Sequence, residues 1–142
     1  MKLIPVTSLA FLVLLTIAGC QNTLQRDDIP RVYVHKEINL NSFDYKALNN
    51  FGGFVYISGG VRGIIIYRKS ANQYLAFERD CPYQPQDSCA LVSVDPSTLY
   101  MIDTCCGSQF DFDGNPIAGP AQFPLLQYST YLNQNYLIIT SD

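Results

Sequence analysis

Apolar and polar residues alternate over residues 31–38, Arg31-Val32-Tyr33-Val34-His35-Lys36-Glu37-Ile38, as they do along a half-buried strand. Three more apolar runs follow with tight breaks between them. Phe54-Val55-Tyr56-Ile57 meets the turn signal Ser58-Gly59-Gly60, then Gly63-Ile64-Ile65-Ile66-Tyr67-Arg68 ends at Ser70-Ala71-Asn72-Gln73, and Tyr74-Leu75-Ala76-Phe77-Glu78 comes next. This spacing predicts an antiparallel meander. Further strands are expected at 90–94 and 99–102, around Asp95-Pro96-Ser97, and at 109–112, running into the hairpin turn Asp113-Gly114-Asn115-Pro116. The last pair, 125–132 and 136–140, is joined across Asn133-Gln134-Asn135. Residues 41–50 hold the only candidate helical turn. No internal repeat and no second-domain boundary interrupt the series. The pattern predicts an all-β sandwich or barrel of about nine short antiparallel strands with two inserted loops.

The start of the chain is of another kind. Lys2 precedes the apolar stretch Leu9-Ala10-Phe11-Leu12-Val13-Leu14-Leu15, and small residues Ala18-Gly19 come just before Cys20. Ile17-Ala18-Gly19-Cys20 resembles the lipobox of bacterial lipoproteins, in which the cysteine is lipidated and becomes the first residue of the mature chain. An uncleaved membrane anchor is the alternative, but the apolar run is short for a span. The division expected is residues 1–19 as lipoprotein signal peptide, 20–30 as lipidated N-terminus and flexible tether, and 31–142 as the β domain. Acyl chains on Cys20 would hold the protein at a membrane, so its expected place is the bacterial cell envelope, at the outer membrane.

Composition narrows the function classes. Ten Tyr and eight Phe favour β structure, and a net charge of −3 without a basic run argues against a nucleic-acid partner. No Ser-His-Asp set, glycine-rich phosphate loop or paired-carboxylate spacing stands out, so no catalytic residues are expected. The single histidine, His35, lies in the first alternating strand without a cysteine or acidic cluster beside it.

Two segments carry candidate chemistry: Cys81-Pro82-Tyr83, and Asp103-Thr104-Cys105-Cys106-Gly107-Ser108-Gln109-Phe110-Asp111. With Gly114, Gly119-Pro120-Ala121 and Pro124-Leu125 after them, they resemble the cluster-binding loops of Rieske [2Fe-2S] domains, over residues 55–139. The resemblance implies a Rieske-like fold. It also places Cys106 at the family's second histidine, Asp103 at its second ligand cysteine and Tyr83 at its first histidine, so only Cys81 keeps a ligand identity. A Rieske centre needs two thiolates and two imidazoles, and the imidazoles are missing. No cofactor is therefore expected; were a [2Fe-2S] cluster to bind, Cys81, Cys105 and Cys106 are the candidate ligands.

Four cysteines after Cys20 in an exported chain favour disulfides over a thiolate metal site, and no metal is expected. Bridging adjacent Cys105 and Cys106 requires strain, which leaves two pairings open. The family resemblance implies one of them: Cys89–Cys105, with Cys81–Cys106 across the place of the cluster. The expected function is that of a membrane-tethered envelope lipoprotein with a cluster-less Rieske-like domain. It would be a structural or interaction module, partnered by the membrane through Cys20 and by another envelope protein. The alternative is a redox protein, with either an atypical [2Fe-2S] cluster or a cycling thiol/disulfide pair.

Overall fold

The computed structural model describes residues 29–141; the expected signal peptide, Cys20 and the tether up to residue 28 lie outside the described residues. The described residues form ten strands: β1 His35–Asn39, β2 Phe54–Ile57, β3 Ile64–Arg68, β4 Tyr74–Glu78, β5 Val92–Val94, β6 Met101–Asp103, β7 Gln109–Phe110, β8 Pro116–Ala118, β9 Gln127–Asn133 and β10 Tyr136–Thr140. They form a six-stranded sheet in the order β1-β10-β9-β4-β3-β2 and a four-stranded sheet β5-β6-β7-β8. All ladders are antiparallel. The all-β, Rieske-like class expected from the sequence is the observed one. Among the described residues, no helix is long and apolar enough to cross a membrane.

Strands β3 and β4 are covered on both faces, which is why they read as unbroken apolar runs rather than as alternation. Ile64, Ile66, Tyr74 and Ala76 face one core with Val34, Leu48, Leu137 and Ile139. Ile65, Leu75 and Phe77 face a second core with Val92, Met101, Phe110 and Leu125 from the small sheet and its loops. The two cores therefore share one pair of strands, and the small sheet is fixed to the large one through their outer face.

Three expectations shift in detail. The first strand begins at His35 rather than Arg31, although Val34 still exchanges hydrogen bonds with Ser141. A tenth strand, β8, arises where the sequence predicts only the end of a turn at Pro116, because Ala118 pairs with Gln109 and Pro116 with Phe110. The candidate helical turn is a 3-10 helix, Phe43–Asn49, anchored by fully buried Leu48.

The turn between β2 and β3 is built around a buried carboxylate. Glu78, at the end of β4, accepts hydrogen bonds from the backbone N–H groups of Val61 (2.8 Å), Arg62 (2.9 Å) and Asp80 (3.1 Å) and from the Tyr128 hydroxyl (2.7 Å). Four donors offset the loss of hydration of a charge taken wholly inside. Gly60 makes this approach possible. Its φ is +62°, and a Cβ there would lie 2.0 Å from Glu78 Oε2.

Candidate functional site

Three loops meet at one end of the small sheet. The first, residues 81–89, connects β4 to β5; the second, residues 104–108, connects β6 to β7; the third, residues 119–126, leads from β8 into β9. Each is held by a separate device.

The first loop is gripped from the β2–β3 turn. Arg62 Nε donates to Asp80 Oδ1 at 2.7 Å, Nη1 to the carbonyl of Ser88 at 2.9 Å, and Nη2 to the carbonyls of Pro85 (3.0 Å) and Asp87 (2.6 Å). A guanidinium suits this task, since its planar fork carries five donors that can engage several acceptors at once. Asp80 is almost fully buried and its Oδ2 has no hydrogen-bond partner. Burial pushes its carboxyl above the usual carboxylate range, while the bond to Arg62 pulls it back.

The second loop is joined to the first by a disulfide, Cys89–Cys105, with Cα atoms 5.6 Å apart. Between the two loops, Cys81, Asp103 and Cys106 converge, their donor atoms lying within 4.8 Å of one another. Cys81 and Asp103 are fully buried and Cys106 is half-buried. The Asp103 carboxylate accepts the Cys105 N–H at 2.8 Å and lies 3.3 Å from Cys106 Sγ. Burial drives the Cys81 thiol well above its ordinary value, partly offset by the backbone hydrogen bond from Tyr83 and reinforced by Asp103 and Cys106. Such a thiol is a poor nucleophile; Cys106 is the more accessible sulfur.

The third loop closes from beneath. Ala121 N–H donates to Ser108 Oγ at 3.0 Å, and Ser108 Oγ in turn lies 3.1 Å from Cys106 Sγ. Gly119, at φ +86°, sits so close that a Cβ would come within 2.5 Å of Ser108 Cα, so the third loop presses directly on the second.

The structure brings together three of the four positions that the Rieske alignment assigned to ligands: Cys81, Asp103 and Cys106. Tyr83, at the fourth, packs against the core that contains Cys81. The Cys89–Cys105 bond that the resemblance implies is present, and it engages Cys105, which was a candidate ligand only were a cluster to bind. Cys81 and Cys106, the second pair implied by the resemblance, are unbonded thiols with sulfurs 3.9 Å apart. His35 is on β1, paired with Thr140 at the edge of the large sheet, and belongs to no loop of the site. Thus the donors present are thiol, carboxylate and thiol, which do not match the two-thiolate, two-imidazole set of a Rieske centre.

Asp103 was legible only through the alignment, and Glu78, Asp80 and Arg62 were not singled out at all. Their signals were nonetheless in the sequence. Glu78 ends an otherwise apolar strand, and Arg62 stands between Gly60 and Gly63 in a turn, where a long cation can reach back over the chain.

No family model matches the chain, and no curated protein matches it. Among solved structures, it is similar to the cyanobacterial plasma membrane Rieske protein PetC3 from Synechocystis PCC 6803, with a TM-score of 0.55 and 17% sequence identity, over 78% of this chain and 100% of that one. The likeness rests on backbone, at an identity too low to carry function. The described residues have a Rieske-like fold.

Proposed function

We propose that this chain is a membrane-tethered lipoprotein of the bacterial cell envelope, whose Rieske-like domain is an interaction module without an iron–sulfur cluster. The observation that carries this reading is the donor set between the loops. Cys81, Asp103 and Cys106 supply no imidazole, and Cys105 is engaged in a disulfide. The loops keep their shape through Arg62 and the Cys89–Cys105 bridge, leaving Gln86 and Thr104 exposed on their outer surface for a protein partner. The lipobox-like Ile17-Ala18-Gly19-Cys20 supports the tether. The structural neighbour is itself described as a plasma membrane protein, in keeping with a membrane-associated role.

The test uses the full chain in envelope membranes. Labelled fatty acid should enter the wild type and not Cys20→Ala. The purified protein should be colourless and free of iron and acid-labile sulfide. A photo-crosslinker at Gln86 or Thr104 should capture an envelope protein, and one at Lys46, exposed on the 3-10 helix, should not. Stoichiometric iron and sulfide, or equal capture from all three positions, refutes the proposal.

One observation favours a second reading, a thiol/disulfide carrier: the 3.9 Å between Cys81 and Cys106 sulfurs. Closing to a bond of about 2.05 Å would pass two electrons and two protons to a partner disulfide, which becomes two thiols. Cys106, the accessible sulfur, would attack first. A Cys81→Ser variant that accumulates a mixed disulfide through Cys106 in the envelope would select this reading.

A further inference from the structure

The group formed by Cys81, Asp103 and Cys106 has the dimensions of a mononuclear metal site. A tetrahedral zinc ion about 2.3 Å from two sulfurs holds them about 3.8 Å apart, and with an oxygen at about 2.1 Å it sets the sulfur–oxygen edge near 3.6 Å. The observed separations are 3.9 Å between the sulfurs and 3.3 Å between Cys106 Sγ and Asp103 Oδ2. Two thiols in van der Waals contact would show the same sulfur spacing; the carboxylate is what separates the two cases.

Asp103 is fully buried, and among the described residues no lysine or arginine forms an ion pair with it. Asp80, also buried, lies near enough for the Asp103 charge to raise its pKa. One guanidinium, Arg62, is paired with Asp80. A buried carboxylate needs either a full set of donors, as Glu78 has, or a cation; Asp103 accepts the Cys105 N–H and meets the Cys106 sulfur. The Cys106 sulfur lies 3.3 Å from Asp103 Oδ2 and 3.1 Å from Ser108 Oγ, and it accepts the Ser108 N–H at 3.4 Å. As a thiol it gives its one proton to Asp103 and accepts the Ser108 hydroxyl and N–H; a bound cation would take the place of that proton between sulfur and carboxylate.

We propose that Cys81, Asp103 and Cys106 bind a single Zn2+ ion at the place that a cluster occupies in the resembled family, a proposal that rests on the cluster-free reading above. Both thiols release their protons to solvent as the ion binds, and the carboxylate enters ionised, so the chain contributes three charged ligand atoms. Water takes the fourth position on the half-buried side, at Cys106. The sequence alone leads to the opposite expectation, since its irregular cysteine spacing is unlike a zinc motif. The third ligand is an aspartate that only folding brings to the thiols.

The test is metal analysis of the full-length protein, isolated anaerobically from membranes without chelator, together with cobalt titration of the apoprotein. The wild type should hold one zinc per chain. Cobalt should produce a thiolate-to-metal charge-transfer absorption, and a chelator should lower the thermal midpoint. Cys106→Ser, half-buried, and the isosteric Asp103→Asn should abolish both the zinc and the cobalt signal while remaining folded by circular dichroism. Removing the other pair, as Cys89→Ser with Cys105→Ser, should leave both in place. A folded wild type with no zinc and no cobalt absorption, or a Cys81–Cys106 disulfide in protein taken directly from the envelope, overturns the zinc site and leaves the cluster-free reading standing. Iron with acid-labile sulfide overturns both.

Discussion

Two side chains decide how the interior around the site is held. Arg62 makes four hydrogen bonds to Asp80 and the first loop, and its side chain is 24% exposed against 1% for Asp80. Arg62→Ala would leave the buried Asp80 carboxyl without its cation. The expected loss is about 2–4 kcal/mol, just under the range for a fully buried pair because the guanidinium keeps some contact with water. Urea unfolding would show it as a lower midpoint, and Arg62→Lys should recover only part, since an ammonium cannot span the three carbonyls. Among the described residues, Tyr128 is the one side chain that donates to Glu78. Tyr128→Phe is expected to lose about 1.5–3 kcal/mol at neutral pH, the range for a hydrogen bond to a charged group. Burial and the neighbouring Glu78 also raise the phenol above its ordinary value of 10.0. The unfolded chain then gives up this proton before the folded one does, so Tyr128 contributes fully below pH 10 and progressively less above it. Between wild type and Tyr128→Phe, the stability difference should shrink as pH rises beyond 10; a difference constant to the alkaline limit contradicts this account.

At the scale of elements, loops rather than strands define the site. The alternation and the double-sided apolar runs made the large sheet readable from sequence, because each strand's burial is written in its own residues. β8 was not readable: Pro116-Ile117-Ala118 carries little burial of its own and becomes a strand through pairing with β7. The Cys89–Cys105 bond was readable through the family resemblance, whereas the meeting of Asp103 with two thiols depends on how β4, β6 and the loops stack in space. The bond joins the first two loops across a sequence separation of 16. Cys89→Ala with Cys105→Ala should therefore cost about 3 kcal/mol on the chain-entropy estimate. That is a fall of several degrees or more in the thermal midpoint of a domain this size. Calorimetry checks it, and an unchanged midpoint would show that Arg62 alone holds the first loop.

At the scale of the molecule, the fold offers a direct test of the ligand alignment. Tyr83→His, Asp103→Cys and Cys106→His, combined with native Cys81, would recreate two thiolates and two imidazoles on the first two loops and the end of β6 that leads into the second. This triple variant is expected to take up iron and sulfide on reconstitution and to show the paramagnetic signal of a reduced [2Fe-2S] centre. A folded but colourless variant would place the divergence in loop geometry rather than in ligand identity. The expectation of success comes from the devices that already shape the loops. A guanidinium, a covalent bridge and the close press of Gly119 on Ser108 set the cavity with protein atoms alone. Over generations this has a consequence. Where a cofactor is not needed to keep the backbone in place, replacing one of its ligands leaves a folded protein on which selection can continue to act. The pocket is then inheritable independently of its contents, and successive lineages are free to fill, empty or repurpose it without rebuilding the scaffold.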